Sequence, residues 1–170
     1  MRTRVRMSVA WAMSAAILLA GCSGENARVR TRLNTVAALR GDLPVNPMQW
    51  KVITSGVQSG GAGGVMYTVF GNDAAVASAR TNAQPEYPAG AVIALVAWSQ
   101  QGDPRWFGGR VPGTPTSVEF VTVGAGANGG RTYEYEQYGG KPLRKIAAES
   151  GAKPGERASY LLAQRAAVMP

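Results

Sequence analysis

Groups that catalyse reactions or bind metals are sparse in this chain of 170 residues. It contains no histidine and a single cysteine, Cys22. These counts exclude catalytic arrangements built on imidazole, the common zinc sites and haem held by a proximal histidine, and they exclude an internal disulfide or a C-x-x-C pair. Chemistry in this sequence must therefore come from carboxylates, tyrosines, arginines and hydrogen-bonding loops.

A glycine-rich run from Gly124 to Gly129 spells G-x-G-x-x-G directly after a predicted strand, which is the nominal pattern of a dinucleotide-binding loop. Binding of a pyrophosphate in that way requires a helix that begins at the loop. The next segment, RTYEYEQY, is instead patterned as a strand, and Asn128-Gly129 is typical of a hairpin turn. We therefore predict a β-hairpin here and no nucleotide site.

Glu134 and Glu136 are carboxylates whose spacing could support chemistry. On a strand they share one face at roughly 7 Å, a separation that paired-carboxylate hydrolysis can use. They or Asp103 could also offer oxygen ligands to Ca²⁺, although no recognisable ligand loop surrounds them. Their alternation with Tyr133 and Tyr135 is typical of a strand with one solvated face, and we favour that structural interpretation.

The densest mixture of polar and aromatic side chains lies between Gln100 and Arg110, after a long apolar strand. Trp106 and Phe107 could supply the apolar walls of a pocket in which Gln100 or Arg110 fixes an anion or a carbonyl group. Alternatively, Asp103-Pro104 makes a turn and the two aromatic side chains plug the end of the sheet. The candidate pocket residues are Trp98, Gln100, Trp106, Phe107 and Arg110.

The first 21 residues have the organisation of a secretory signal peptide, because three arginines precede an apolar run from Met7 to Ala20 that is short for a membrane span. The run ends in Leu19-Ala20-Gly21-Cys22, which matches the lipobox of bacterial lipoproteins, in which the cysteine thiol receives diacylglycerol. We expect Cys22 to be acylated and to anchor the protein in membrane lipid, since each buried CH₂ contributes about 0.8 kcal/mol.

Ser23 follows the cysteine where an aspartate would retain an enterobacterial lipoprotein in the inner membrane. By that resemblance we expect the cell envelope, with the protein facing the periplasm from the outer membrane. Residues 22–48 are interpreted as a basic flexible tether that either lies on anionic headgroups or is simply solvated. No nucleic acid partner is expected, because the basic residues form no recognisable binding module with aromatic residues.

Five segments rich in β-branched and aromatic residues predict strands, and glycine- and proline-rich segments such as Gly102 to Thr116 separate them. The predicted strands are Trp50–Thr54, Val65–Phe70, Ala91–Trp98, Ser117–Val123 and Arg131–Tyr138. The third is almost continuously apolar and should lie centrally with both faces covered, whereas the fifth alternates and should have one solvated face.

Two helices are predicted beside these strands. Asn72 or Asp73 can cap a helix over Ala74–Arg80, and a second helix is expected from Glu156 to Ala167. The predicted fold class is α+β, a mainly antiparallel sheet of about five strands with flanking helices. The expected organisation is a signal peptide over 1–21, the tether over 22–48, a β-rich domain over 49–145 and a C-terminal helix and tail over 146–170.

Four runs in the sequence resemble the cytochrome P-460 domain family in order and spacing, over about Trp50 to Leu143. They are GNDAAVASAR, YPAGAVIALVAWSQQ, DPRWFGGRVPGTPTSVEFVTV and the tyrosine-rich strand followed by GGKPL. The ending LLAQRAAVMP looks like that of a branch without the haem motif. The resemblance implies a mainly antiparallel β domain with flanking helices, often a homodimer, whose typical members bind c-type haem and act on hydroxylamine or nitric oxide.

The chain departs from the family at the haem motif. Typical members carry C-x-x-C-H, which supplies two thioethers to the porphyrin and an axial histidine, whereas this sequence has no histidine and no cysteine after Cys22. Covalent haem is therefore excluded and the family's enzymatic activity is not carried over. Noncovalent haem through Tyr133, Tyr160 or Met169 is a disfavoured alternative, so no cofactor is expected.

Three functional hypotheses follow from the sequence. The leading one is a lipid-anchored periplasmic protein whose haem-less domain binds a small ligand or an envelope protein and performs no redox chemistry. A second is a protein that holds noncovalent haem or a metal and acts on small nitrogen oxides. A third is a structural envelope component without a pocket.

Overall fold

The structure is a computed structural model that describes residues 33–58, 63–81, 86–147 and 153–167. The chain divides into two compact units, Met1–Thr35 and Val36–Pro170. The predicted signal peptide, Cys22 and the first part of the tether lie outside the described residues. The second unit contains the sheet and both helices.

Within the described residues, six antiparallel strands form one sheet in the order of the sequence. They are β1 Lys51–Gln58, β2 Val65–Gly71, β3 Val92–Gly102, β4 Arg110–Ala125, β5 Arg131–Gly139 and β6 Arg144–Lys145. The helices are α1 Asp73–Arg80 and α2 Pro154–Leu162, and neither is long and apolar enough to cross a membrane. The predicted α+β class with a mainly antiparallel sheet is confirmed, and the additional strand is the two-residue β6.

Strand β3 lies inside the sheet and is covered on both faces, as predicted. Alternate side chains of a strand point to opposite faces. Ile93, Leu95 and Ala97 pack on the face that carries α1 and α2. On the other face, Val96 and Trp98 pack against residues of β4 and β5, including Phe120.

Helix α1 begins at Asp73, one residue before the predicted Ala74, and Asn72 is the one of the two predicted caps that the structure uses. The Asn72 side chain accepts a hydrogen bond from the Ala75 N–H at 3.0 Å and thus caps the helix. The same oxygen accepts a bond from the Val92 N–H, and the Asn72 amide donates to the Gly90 carbonyl. Asn72 therefore joins the start of α1 to the start of β3.

Helix α2 ends at Leu162, five residues before the predicted end at Ala167. Its buried side chains, Ala158 and Leu161, pack into the core on the helix-covered face. The chain then leaves the helix, because the Ala167 N–H donates to the Ile53 carbonyl of β1 at 3.0 Å and a neighbouring amide donates to α1. Hydrogen bonds to β1 and α1 thus take the place of the last helical turn that the sequence predicts for α2.

Residues 37–45, which the sequence analysis assigns to the tether, cover the face of the sheet opposite the helices. Ala37, Leu39, Leu43 and Val45 are partly buried there. The segment is held through Leu143, which exchanges backbone hydrogen bonds of 2.9 and 3.0 Å with positions 40 and 42. A sheet with two apolar faces needs a second cover, and this segment supplies it.

The β3–β4 hairpin is longer than the sequence predicts. Both strands continue into the predicted loop, and Pro112 and Pro115 lie within β4. At these positions β4 is paired with β3 alone, because its pairing with β5 begins at Ser117. A proline is tolerated at such an edge, where its missing N–H is not needed by a second neighbour.

We call residues 100–112 the arm. Pairing between β2 and β3 stops at Ser99, so both strands of the arm extend past their outer neighbours. The turn of the arm, residues 103–109, carries the aromatic pair of the sequence analysis.

The glycine-rich run after β4 forms the predicted hairpin turn. The Gly126 N–H donates to the Gly130 carbonyl at 2.9 Å, and Gly129 has a φ of 77°. Strand β5 follows directly at Arg131. The dinucleotide motif therefore lacks the helix that a pyrophosphate would need.

Candidate functional site

Glu119 is the buried charged side chain of the described residues, with an exposed fraction of 4%. It lies on β4 and faces α2. Its carboxylate accepts hydrogen bonds from Arg157 Nε at 2.9 Å and Arg157 Nη2 at 2.8 Å. The Tyr135 hydroxyl donates a third bond at 2.8 Å. Charge-assisted, two-point pairing of this kind is what keeps an ionised carboxylate stable away from water.

The sheet register and the helix period bring these groups together. Glu119 is paired with Leu95 of β3 on one side and with Gln137 of β5 on the other. Tyr135 is two residues from Gln137 and so lies on the same face of the sheet. On α2, Arg157 lies one turn before the buried Leu161 and is therefore on the side of the helix that faces the sheet.

Two further tyrosines extend this cluster toward solvent. The guanidinium carbon of Arg157 lies 4.9 Å from the centre of the Tyr160 ring, a cation–π distance. Burial raises the pKa of Tyr160, and the neighbouring Tyr67 hydroxyl raises it further. Burial, and then the bond to Glu119, raises the pKa of Tyr135. The phenols of Tyr160 and Tyr135 therefore stay protonated at neutral pH and act as neutral hydrogen-bonding groups.

A cavity of about 440 Å³ opens beside the Glu119–Arg157 pair. We call it the Glu119 cavity. Its apolar side is formed by β2 and β3, including Val65 and Leu95. Its polar lining comes from β1, β2, β4 and α2, through Gln58, Tyr67, Thr116, Glu119, Arg157 and Tyr160. An apolar wall opposite a few convergent polar groups is the usual construction of a small-molecule site.

The Glu119–Arg157 pair dominates the electrostatics of the cavity. Two of the five N–H groups of Arg157 donate to Glu119, and the guanidinium also interacts with the Tyr135 hydroxyl. Because the carboxylate neutralises the guanidinium, the site has polar groups and little net charge. It is suited to a small neutral molecule with donors and acceptors.

The structure does not bring the five candidate pocket residues of the sequence analysis together. Trp98 is buried, and its indole N–H donates to the Ala37 carbonyl at 2.9 Å on the face opposite Glu119. Trp106 is 75% exposed and Phe107 is fully exposed at the end of the arm. These two rings therefore do not plug the sheet. Gln100 is half-buried at the base of the arm, and Arg110 is exposed.

Two of the three carboxylates considered in the sequence analysis, Glu136 and Asp103, have local partners, and Glu134 is exposed. Glu136 accepts hydrogen bonds from the Tyr138 hydroxyl, at 3.1 Å, and from the Lys145 ammonium. Asp103 accepts a bond from the Arg105 N–H at 2.8 Å within its own turn. In the part of the chain that the structure describes, no three histidine, cysteine or acidic residues are grouped so as to hold a metal ion.

Sequence reasoning missed the cluster around Glu119. One signal was present, since Glu119 is a single charge within the apolar run SVEFVTV, where a charge needs a buried partner. Its partner Arg157 is 38 residues away in sequence. Only the docking of α2 on the sheet reveals that pairing.

The residues from 46 to 155 match the family model described as cytochrome P-460. The chain belongs to the cytochrome P-460 family. The match covers all six strands and α1 but ends at the second residue of α2, so Arg157 and Tyr160 lie beyond it. No curated protein matches the chain at a significant level.

The name of the family implies haem, and the residues of this chain do not fit that group. Tyr133 is 52% exposed, and burial raises the pKa of Tyr160, which disfavours the tyrosinate that iron would need. Met169 lies outside the described residues. Histidine is absent from the sequence, and its one cysteine is Cys22.

Proposed function

We propose that the protein is a haem-less member of the cytochrome P-460 family that binds a small, uncharged, polar molecule in the Glu119 cavity and performs no redox chemistry. The observation that carries this proposal is the Glu119–Arg157 pair, which lines a cavity of about 440 Å³ instead of being sealed in the core. Apolar side chains of similar size could replace an ion pair that served stability alone. A charged pair that lines a cavity is therefore better explained by a role in binding.

The lining explains the choice of ligand class. An anion would be attracted by Arg157 but repelled by Glu119, and a cation would be attracted by Glu119 but repelled by Arg157. For either charge the electrostatic attraction and repulsion would roughly cancel. A neutral molecule with an amide or several hydroxyls can instead accept from Arg157 and exchange hydrogen bonds with the hydroxyls of Tyr67, Thr116 and Tyr160. Its carbon skeleton would lie against Val65 and Leu95.

The same proposal includes the placement of the protein in the cell. Acylation of Cys22 would hold the protein in the bacterial envelope, facing the periplasm. Because the residue after Cys22 is Ser23 and not an aspartate that would retain it in the inner membrane, the outer membrane is the proposed location. The cavity would then bind a molecule that has entered the periplasm.

The binding proposal is tested by ligand-observed NMR with acetamide, N-acetylglucosamine and glycerol, and with acetate and guanidinium as charged comparisons. We expect at least one neutral probe to bind, and Tyr67→Phe and Arg157→Met to weaken that binding by about tenfold for each hydrogen-bonded contact removed. Tyr133→Phe, which changes an exposed tyrosine outside this cavity, is the matched control.

Two results would reject the proposal. One is that Tyr67→Phe and Tyr133→Phe weaken binding of every probe equally. The other is a Soret band that appears when haemin is added to the protein and disappears in Tyr160→Phe, since this would identify a noncovalent haem protein.

A further inference from the structure

The end of the arm presents two aromatic rings that touch little of the protein. Phe107 is fully exposed and Trp106 is 75% exposed. Large apolar side chains in such a setting mark an interaction surface when they are grouped, whereas single ones need no explanation. The two residues are adjacent in sequence and occupy the outermost turn of the arm.

The turn holds these rings in place through its backbone. The Asp103 N–H donates to the Gly109 carbonyl, and the Gly109 N–H donates to the Trp106 carbonyl, both at 2.9 Å. Gly108 has a φ of 74°, a conformation that a glycine adopts readily. Because the turn is ordered by these bonds, a partner would not have to fix it on binding.

The charges around the rings favour an anionic partner. Arg105, with a side chain 63% exposed, and Arg110, which is also exposed, flank the aromatic pair. The acidic group of the turn, Asp103, is 17% exposed and accepts hydrogen bonds from Arg105. The exposed charge at the end of the arm is therefore positive.

The shape of the arm favours a lipid surface over a protein groove. Phe107 stands at a convex turn and is open to solvent all round, so a protein partner would need a deep pocket to cover it. The interfacial region of a bilayer can surround such a ring without a preformed pocket. Tryptophan concentrates in that region, and arginine contacts its headgroups.

The beginning of the domain is at the same end of β3 as the arm. Ala37, close to the first residue of the second unit, accepts the indole hydrogen bond of Trp98, and the arm starts two residues later at Gln100. Cys22 precedes Val36 by about 14 residues, which can span up to about 50 Å when extended. A membrane that held Cys22 would thus lie within that span of Val36.

We propose that the arm is a membrane-contact element, in which Trp106 and Phe107 enter the interfacial region of an anionic bilayer while Arg105 and Arg110 contact phosphate groups. The proposal rests on the lipid anchor of the proposed function for bringing the arm to the membrane. It is independent of the Glu119 cavity.

The full chain, reconstituted into vesicles of phosphatidylcholine and phosphatidylglycerol that contain brominated phospholipids, tests the proposal. With Trp11 of the leader replaced by Phe throughout, we expect the lipid bromines to quench tryptophan emission, and Trp106→Phe to abolish that quenching. Trp50→Phe, the same change at a ring that packs on Phe120 at 6.4 Å, should leave it intact. Quenching that is equal in Trp106→Phe and in the unsubstituted chain would overturn the proposal.

Adding the unacylated chain to vesicles from solution measures the affinity for lipid in the absence of an anchor. We expect Phe107→Ser to weaken binding by about tenfold, and Arg105→Gln to weaken it by about fivefold in anionic vesicles only. Binding that is unchanged in both variants would refute the contact. If Trp106 became shielded from solvent as the protein concentration rose, and copies of the chain could be crosslinked, the contact would be refuted in favour of self-association.

The mass of the same protein separates this proposal from the lipid anchor. A chain that carries no acyl groups but is quenched at Trp106 supports the arm and rejects the anchor. An acylated chain whose tryptophans are not quenched rejects the arm and leaves the anchor standing.

Discussion

At the scale of single residues, Glu119 is the position where we expect substitutions of its partners to change stability most. Its carboxylate is removed from water and depends on one cation and one phenol, Arg157 and Tyr135. The loss of one charge from such a pair leaves the other buried without compensation, whereas the loss of both can be nearly neutral. The effects of substitutions at the two positions will therefore not be additive.

We predict that Arg157→Met lowers the free energy of unfolding by roughly 3 kcal/mol, because Glu119 remains buried without its cation. The double variant Glu119→Leu/Arg157→Met should recover most of that loss. Urea denaturation measures both values. Glu156→Gln on the same helix is the control, since Glu156 pairs with Lys153 at the surface, with side chains 72% and 82% exposed. Equal losses in the single and double variants would contradict the prediction.

Tyr135 makes one contribution to the pH dependence of stability. Burial and the bond to Glu119 raise its pKa above the ordinary value of 10.0. The unfolded phenol ionises from about pH 10, whereas the folded one does not until higher pH, so stability is complete below pH 10 and falls as the pH rises above it. We predict a shallower fall in Tyr135→Phe. Chemical denaturation at pH 8 to 11 measures it, with the exposed Tyr133→Phe expected to follow the unsubstituted protein.

The elements of the fold were predictable to the extent that local sequence determines them. The β-branched runs predicted strands, and Asn72 followed by an alanine-rich run predicted α1, because these signals depend on neighbouring residues. The outward extension of β3 and β4 was not predictable from composition, since Pro112 is compatible with a strand only where one neighbour is missing. Along β5, exposure falls from Arg131 to the buried Tyr138 and does not alternate, because its second half lies under other elements.

The cluster around Glu119, which includes Tyr67, Tyr135, Arg157 and Tyr160, could not be predicted from the sequence for a related reason. Its groups come from three strands and a helix, and nothing local links Arg157 to β4. The match to the family also ends before that residue. The five-residue pocket hypothesis failed to identify this cluster, because Trp98 is buried against Ala37 on the opposite face and the arm carries Trp106, Phe107 and Arg110 into solvent.

At the junction of α1 and β3 we predict that Asn72→Ala lowers the free energy of unfolding by about 1 to 2 kcal/mol, since it removes a helix cap and a link to Val92 and Gly90. Thermal denaturation followed by circular dichroism measures the change. Asp73→Asn is the matched control, because Asp73 is exposed and bonded to the exposed Lys51. A loss of the same size in Asp73→Asn would show that the cap is not responsible.

For the whole molecule, the proposed lipid anchor at Cys22 is the feature with the largest expected effect on location. We predict that Cys22→Ser prevents incorporation of radiolabelled palmitate and blocks cleavage of the leader, because the thiol is the group that receives lipid in the lipobox hypothesis. Mass spectrometry of the purified chain measures both changes. Cleavage that proceeds unchanged in Cys22→Ser would contradict the hypothesis and indicate an ordinary signal peptide.

The cover formed by residues 37–45 has a mechanical consequence for a domain held by its N-terminus. Any pull on the chain before Val36 is borne first by the Trp98–Ala37 bond and then by the short parallel bridge between Gly41 and Leu143. The strands behind them form a longer hydrogen-bonded network. Under load, the cover would therefore peel away before the sheet opens, and the first surface released to water would be the face that contains Trp98 and Phe120.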